Sequence, residues 1–164
     1  MIGIEGRTGV GKTTIARALY SQISSSFQLS CFMENLKGSY KSNESKLALQ
    51  NQLLSKILNQ KDMKIDHFGA IKEWLQDQRV LIILDDVDDR EQLKTLAKEL
   101  SWFGSGSRII VTTEKKKILK KHGIKHIYHF STTEAMIMKV MWYGLILPVV
   151  YVADKMVKIL EDDE

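Results

Sequence analysis

Eight residues near the amino end, Gly6-Arg7-Thr8-Gly9-Val10-Gly11-Lys12-Thr13, fit the spacing G-x-x-x-x-G-K-[ST], a pattern that grips phosphate. The residue types follow from that chemistry. Glycine at positions 6, 9 and 11 allows a left-handed backbone and lets an anion come close with no Cβ in the way. Inward-turned N–H groups make an anion nest, and a helix opening near Lys12 adds the positive end of its dipole to the same spot. Lys12 is expected to reach the β- and γ-phosphates of a nucleotide, and the Thr13 hydroxyl to ligate Mg²⁺. The expected nucleotide-binding set is Gly6, Gly9, Val10, Gly11, Lys12, Thr13 and Thr14.

A second chemical group closes the apolar run Val80-Leu81-Ile82-Ile83-Leu84 with the pair Asp85-Asp86. A run of this length reads as a strand buried on both faces of a parallel sheet. In open α/β sheets ligands bind at the carboxyl ends of strands, which brings the two acids beside the glycine-rich loop. Mg²⁺ takes hard oxygen ligands, so Asp85, directly or through water, is the expected metal partner of Thr13. Asp86 is the expected catalytic residue, orienting an attacking water or accepting its proton.

The elements needed to position these groups are legible. Residues 1–5 read as a strand entering the loop, and Ile15, Leu19 and Ile23 as the apolar face of a helix leaving it. Strands are also expected over 29–33 and 107–113. Helices are marked by Leu49, Leu53 and Ile57 within 45–59, by Ile71, Trp74 and Leu75, and by Leu93, Leu96, Ala97 and Leu100. Strands alternating with helices predict an α/β fold of the P-loop NTPase kind, a three-layer sandwich with a mostly parallel sheet and helices on both faces.

Composition agrees. A chain of 164 residues, 44% hydrophobic and 27% charged, supports one soluble core, here placed over residues 1–130. Cys31, the single cysteine, allows no internal disulfide and fits a small core residue in a reducing compartment. The opening residues carry no secretory leader pattern. Net charge is +4, and Lys115, Lys116, Lys117, Lys120, Lys121 and Lys125 lie close together. No aromatic platform accompanies them, so a solvated helix face with Ile118 and Leu119 turned inward is expected, and no specific nucleic acid. His122, His126 and His129 lack the cysteine or acidic partners of a zinc set and are read as packed or solvated. The segment 135–153 is strongly apolar but is interrupted by Lys139, Gly144 and Pro148. It reads as a last strand over 145–152, followed by a helix over 154–160, in preference to a membrane span.

Taken in order, these pieces resemble the NB-ARC nucleotide-binding module of plant disease-resistance proteins, the class with an N-terminal TIR domain. The resemblance rests on residues 6–14 as the P-loop and on 80–87 as the Walker B segment with its Leu-Asp-Asp-Val wording. It rests also on 106–113, Gly-Ser-Arg-Ile-Ile-Val-Thr-Thr, as the third nucleotide motif, with Phe32-Met33-Glu34-Asn35 and Trp74-Leu75 in support. It spans about residues 1–130 and implies an ADP/ATP-binding signalling switch. Such a switch rests with ADP, exchanges it for ATP with Mg²⁺, assembles with other NB-ARC or receptor proteins, and hydrolyses ATP slowly if at all. It implies a cytoplasmic protein, with the nucleus as a second compartment. Two departures stand out. Many members follow the paired threonines with an arginine that senses the γ-phosphate, whereas this chain has Glu114. A carboxylate there is expected to repel the γ-phosphate and blunt discrimination between ATP and ADP. The Gly-Leu-Pro-Leu motif is at most echoed in residues 144–148, and the helical and winged-helix subdomains with their Met-His-Asp motif are not found. A truncated or rearranged product, or an excised fragment, binding nucleotide weakly, is the reading that follows. Two alternatives from other classes are a small P-loop kinase, for which only Arg90 and Arg108 follow the Asp pair as lid arginines, and a truncated interaction or decoy protein.

Overall fold

The computed structural model describes residues 1–61, 63–136 and 156–158. Five strands form one sheet: β1 (Ile2–Glu5), β2 (Leu29–Met33), β3 (Val80–Leu84), β4 (Arg108–Thr113) and β5 (His126–His129). Their order is β2-β3-β4-β1-β5, and every neighbouring pair runs parallel. The α/β architecture expected from the alternation is therefore present. The two strands that end in chemistry, β1 and β3, are not neighbours; β4 lies between them.

Side-chain alternation splits the interior into two layers. Val80, Ile82 and Leu84 of β3 face one way with Ile109 and Val111 of β4, under α2 (Asn43–Ile57), α3 (Ala70–Leu75), α4 (Arg90–Ala97) and α5 (Lys116–His122). Leu81, Ile83, Ile110, Ile2 and Ile4 face the other way, under α1 (Lys12–Ile23) through Ile15, Ala16 and Leu19. All five side chains of β3 are fully buried, as the continuous apolar run demands.

Local signals set the helix ends. The Ser42 hydroxyl accepts from the Ser45 N–H at 3.3 Å, so α2 opens at Asn43, two residues before the sequence reading placed it. Asp89 caps α4: its carboxylate accepts from the Glu91 N–H, while the Gln92 side chain accepts from the Asp89 N–H in return. Gly123, at φ 85°, closes α5, whose Ile118 and Leu119 are buried while its lysines are exposed, as expected of a solvated basic face.

Three expectations need correction. Trp74 is half exposed and not part of the buried stripe of α3. Helix α4 stops at Ala97, so Leu100 falls in a short 3₁₀ turn and is exposed. Strand β5 was not expected at all. It pairs with the outer side of β1, aligning Ile2 with His126 and Glu5 with His129. The strand expected over 145–152 lies outside the described residues. Of the helix expected over 154–160, residues 156–158 are described and helical, and Met156 packs in the α1 layer. Among the described residues no helix is long and apolar enough to cross a membrane.

Ile82 stands at the centre of the larger layer with no solvent exposure. Ile82→Ala should lower unfolding free energy by about 2–5 kcal/mol through lost burial and a residual cavity. Urea unfolding followed by circular dichroism measures this. A loss below about 1 kcal/mol would mean that the site collapses freely.

Candidate functional site

The loop from Gly6 to Thr13 joins the carboxyl end of β1 to the first turn of α1. Gly9 at φ 77° and Gly11 at φ 105° hold it open in the left-handed region. Gly11 caps α1, no side chain caps that end, and the first helical bond runs from the Ile15 N–H to the Gly11 carbonyl at 3.1 Å. The four N–H groups from Gly11 to Thr14 therefore lack helical partners, which is the local chemistry of an anion site.

Lys12 is almost fully buried. Its Nζ donates to the carbonyls of Gly6 at 2.8 Å and Arg7 at 2.9 Å. Two of its three protons are thereby placed against the loop, which fixes the ammonium beside the open N–H groups. The next residue, Thr13, points its Oγ1 at both oxygens of Asp85, 3.0 Å from each.

Asp85 is 1% exposed, and Thr112 Oγ1 donates to its Oδ1 at 2.7 Å. Among the described residues no cationic side chain forms an ion pair with it. A carboxylate desolvated to this degree and held only by hydroxyls is poised for a cation. The donor set is oxygen alone, which suits Mg²⁺. No cluster of three or more His, Cys, Asp or Glu side chains capable of holding a metal occurs among the described residues. Mg²⁺ fits such a partial set because it is usually held by one or two carboxylates plus water and phosphate oxygens.

Asp86 occupies the left-handed region at φ 60°, and its N–H donates to Thr112 Oγ1 at 2.8 Å. That bond turns the chain sharply after β3 and sets Asp86 on the wall of a cleft of about 20 Å³ shared with Lys37, Val87, Asp88, Glu114 and Lys115. A space of this size holds about one water molecule.

Glu114 follows β4 and reaches the P-loop as expected, but not as a bare charge. Its carboxylate accepts from the Thr8 hydroxyl and lies 3.6 Å from Lys37 Nζ. The Thr8 hydrogen bond, with Lys37 and Lys12 nearby, holds the Glu114 carboxyl below the usual range for glutamate. Thr8, Lys37 and Thr112 were not singled out from sequence. Thr8 and Thr112 sat in recognised motifs without a role, and a lone loop lysine gives no signal.

The three histidines are not assembled into a site. His122 bonds the Ala97 carbonyl at 2.9 Å and burial pushes its pKa down, whereas His129 lies 2.6 Å from the Glu5 carboxylate. Burial drives the Cys31 thiol up to about 11, against the opposing field of Lys56, so it stays protonated and unreactive. A larger cleft of about 440 Å³ opens near Met1, Ile124 and His126, at the amino ends of β1 and β5. The phosphate-gripping chemistry is at the opposite end of the sheet, so volume does not mark the site here.

A family model described as NB-ARC domain matches residues 1–142. The chain belongs to the NB-ARC family. Among its relatives in Arabidopsis thaliana, "Disease resistance protein RML1B" is 60% identical over 133 residues, covering 79% of this chain and 13% of that protein. "Probable disease resistance protein RPP1" is 53% identical over 133 residues, covering 78% of this chain and 11% of the other. The chain thus spans roughly an eighth of the length of these relatives. Among solved structures, Cdc6p from Pyrobaculum aerophilum superposes with a TM-score of 0.57 at 15% identity, over 86% of this chain and 41% of that one. That likeness concerns the fold. An NB-ARC domain on a P-loop NTPase fold is a nucleotide-binding module, and the open loop N–H groups, Lys12 and the buried Asp85 are chemically consistent with it.

Thr112 is the hinge of the acidic side, because its single hydroxyl both donates to Asp85 and accepts from the Asp86 N–H. Thr112→Val should cost about 1.5–3 kcal/mol of stability, as expected when a buried charge loses a hydrogen bond. Thr112→Ser should recover most of it. Equal denaturation midpoints for the wild type and Thr112→Val would refute this role.

Proposed function

We propose that this chain is the nucleotide-binding core of a plant disease-resistance receptor-like protein, holding ADP or ATP with Mg²⁺ and hydrolysing ATP slowly if at all. The observation that carries the reading is the meeting of the uncapped amino end of α1 with the Thr13–Asp85 contact. One side grips phosphate and the other accepts a cation.

The roles follow from position. Backbone N–H groups of the Gly6–Thr14 segment bind phosphate oxygens, with Gly9, Val10 and Gly11 forming the turn. Lys12 carries a charge to the β- and γ-phosphates. Thr13 Oγ1 and the Asp85 carboxylate would hold Mg²⁺, which when bound would offset negative charge on the phosphates. In that role the Thr13 hydroxyl, which donates to Asp85 here, would offer an oxygen lone pair to the cation. Asp86, at the water-sized cleft, orients a water for attack. Weak binding and low turnover of this chain belong to the same proposal. Signalling then depends on which nucleotide is held, since a γ-phosphate biases the arrangement of attached segments. Assembly with other NB-ARC or receptor proteins in the cytoplasm belongs to the same proposal.

Two measurements test it. Lys12→Ala should weaken both ADP and ATP binding at least tenfold by calorimetry, because a charge-assisted contact is worth about 1.5–3 kcal/mol. Unchanged affinities in a folded variant would overturn the assignment. Asp85→Ala should abolish the difference in affinity between Mg-ATP and metal-free ATP, while Asp86→Ala should leave binding nearly intact and remove any hydrolysis. Full Mg²⁺ dependence in Asp85→Ala would show that the cation sits elsewhere.

A further inference from the structure

The acidic wall of the site raises a problem of charge. Asp85, Asp86 and Glu114 all stand at the carboxyl ends of β3 and β4; Asp85 and Glu114 touch the loop that would hold phosphate, and Asp86 shares a cleft with Glu114. A third phosphate adds negative charge on that side. Lys12 donates two of its three protons to the loop carbonyls, and the nucleotide reading gives the third to phosphate. Lys115 borders the cleft, but its Nζ donates to the Asp88 carbonyl at 2.8 Å. The remaining cation in the cleft wall is Lys37, in the connection between β2 and α2.

Lys37 is not a loosely placed surface lysine. The residue before it, Leu36, is buried, and its N–H donates to the Asp85 carbonyl at 3.0 Å. The Leu36 carbonyl accepts from the buried Gln92 side chain at 2.5 Å. The residue after it, Gly38, donates its N–H to Asp88 Oδ1 at 3.1 Å. The backbone on both sides of Lys37 is therefore tied to the segment that follows β3. Its ammonium is then drawn to Glu114, whose other contact is Thr8 of the P-loop.

We infer that Lys37 is the residue that lets this site accept a triphosphate beside its acidic wall, with Glu114 as the positioning residue that keeps the ammonium over the P-loop tip. The inference rests on the nucleotide reading above. Without Lys37 the Glu114 charge is uncompensated and weighs against a third phosphate, while a diphosphate, gripped deeper by the loop and Lys12, is little affected. The pair is exposed and screened, so the effect is moderate.

The test is calorimetric titration of the whole chain with ADP and with a non-hydrolysable ATP analogue, both with Mg²⁺. Lys37 is solvent-exposed, so Lys37→Met should fold as the wild type does. It is expected to weaken binding of the ATP analogue about fivefold and that of ADP less than twofold. Lys37→Arg should keep the wild-type ratio. The double variant Lys37→Met with Glu114→Gln should regain most of that ratio, because the uncompensated charge is gone; a purely structural role for Lys37 gives no such rescue. An unchanged ratio in Lys37→Met, with both nucleotides still bound, would overturn this inference alone. Absence of any nucleotide binding by the wild type would overturn the nucleotide reading, and this inference with it.

Discussion

Among the described residues, one buried carboxylate organises the carboxyl end of this sheet. Asp85 is out of water, and desolvating an ion costs several kcal/mol unless its lone pairs are taken up. They are taken up by Thr13 from the first turn of α1 and by Thr112 from β4. The requirement therefore fixes how the P-loop helix, β3 and β4 stand to one another. The strand order makes this possible, because β4 lies between β1 and β3 and brings Thr112 to the midpoint. The chain beyond Asp85 is laced to the same strand: the Val87 N–H donates to the Thr112 carbonyl at 2.9 Å, and the Thr113 hydroxyl donates to the Val87 carbonyl at 2.5 Å. The acids point where they do because the end of β4 leaves them no other course.

The site is accordingly built of two unlike walls. One is backbone, glycine-rich and positive in potential, and it tolerates few changes, since a Cβ on Gly6 would lie 2.6 Å from the Phe130 carbonyl. The other is acidic and made of side chains. Relatives 53–60% identical over most of the chain carry disease-resistance names. In that second wall this chain carries Glu114 and sets Lys37 against it.

Much of this was legible in the sequence for physical reasons. Glycines 9 and 11 take the left-handed backbone that the loop spacing implied, and the apolar run 80–84 is buried on both faces. The Thr13–Asp85 contact followed from the rule that ligands gather at the carboxyl ends of strands. Other features left no local trace. Strand β5, His126-Ile127-Tyr128-His129, is short, lies at the edge of the sheet among the described residues and is exposed at both ends, so it shows no apolar run. Trp74 and Leu100 completed a helical period yet face solvent, because α3 has six residues and α4 stops at Ala97. Lys37 owes its place to tertiary bonds made by Leu36 and Gly38, which no spacing rule encodes.

Phe130 adds a mechanical consequence. Its N–H donates to the Glu5 carbonyl at 2.7 Å, its own carbonyl bears on Gly6, and its ring lies 3.7 Å from where a Cβ on Gly11 would stand. It is 1% exposed, and the polypeptide leaves the sheet immediately after it, entering a helical turn over 132–136. Phe130 is thus a fulcrum wedged beneath both ends of the glycine loop. The backbone that continues into residues 131–136 is thereby anchored against the floor of the anion nest.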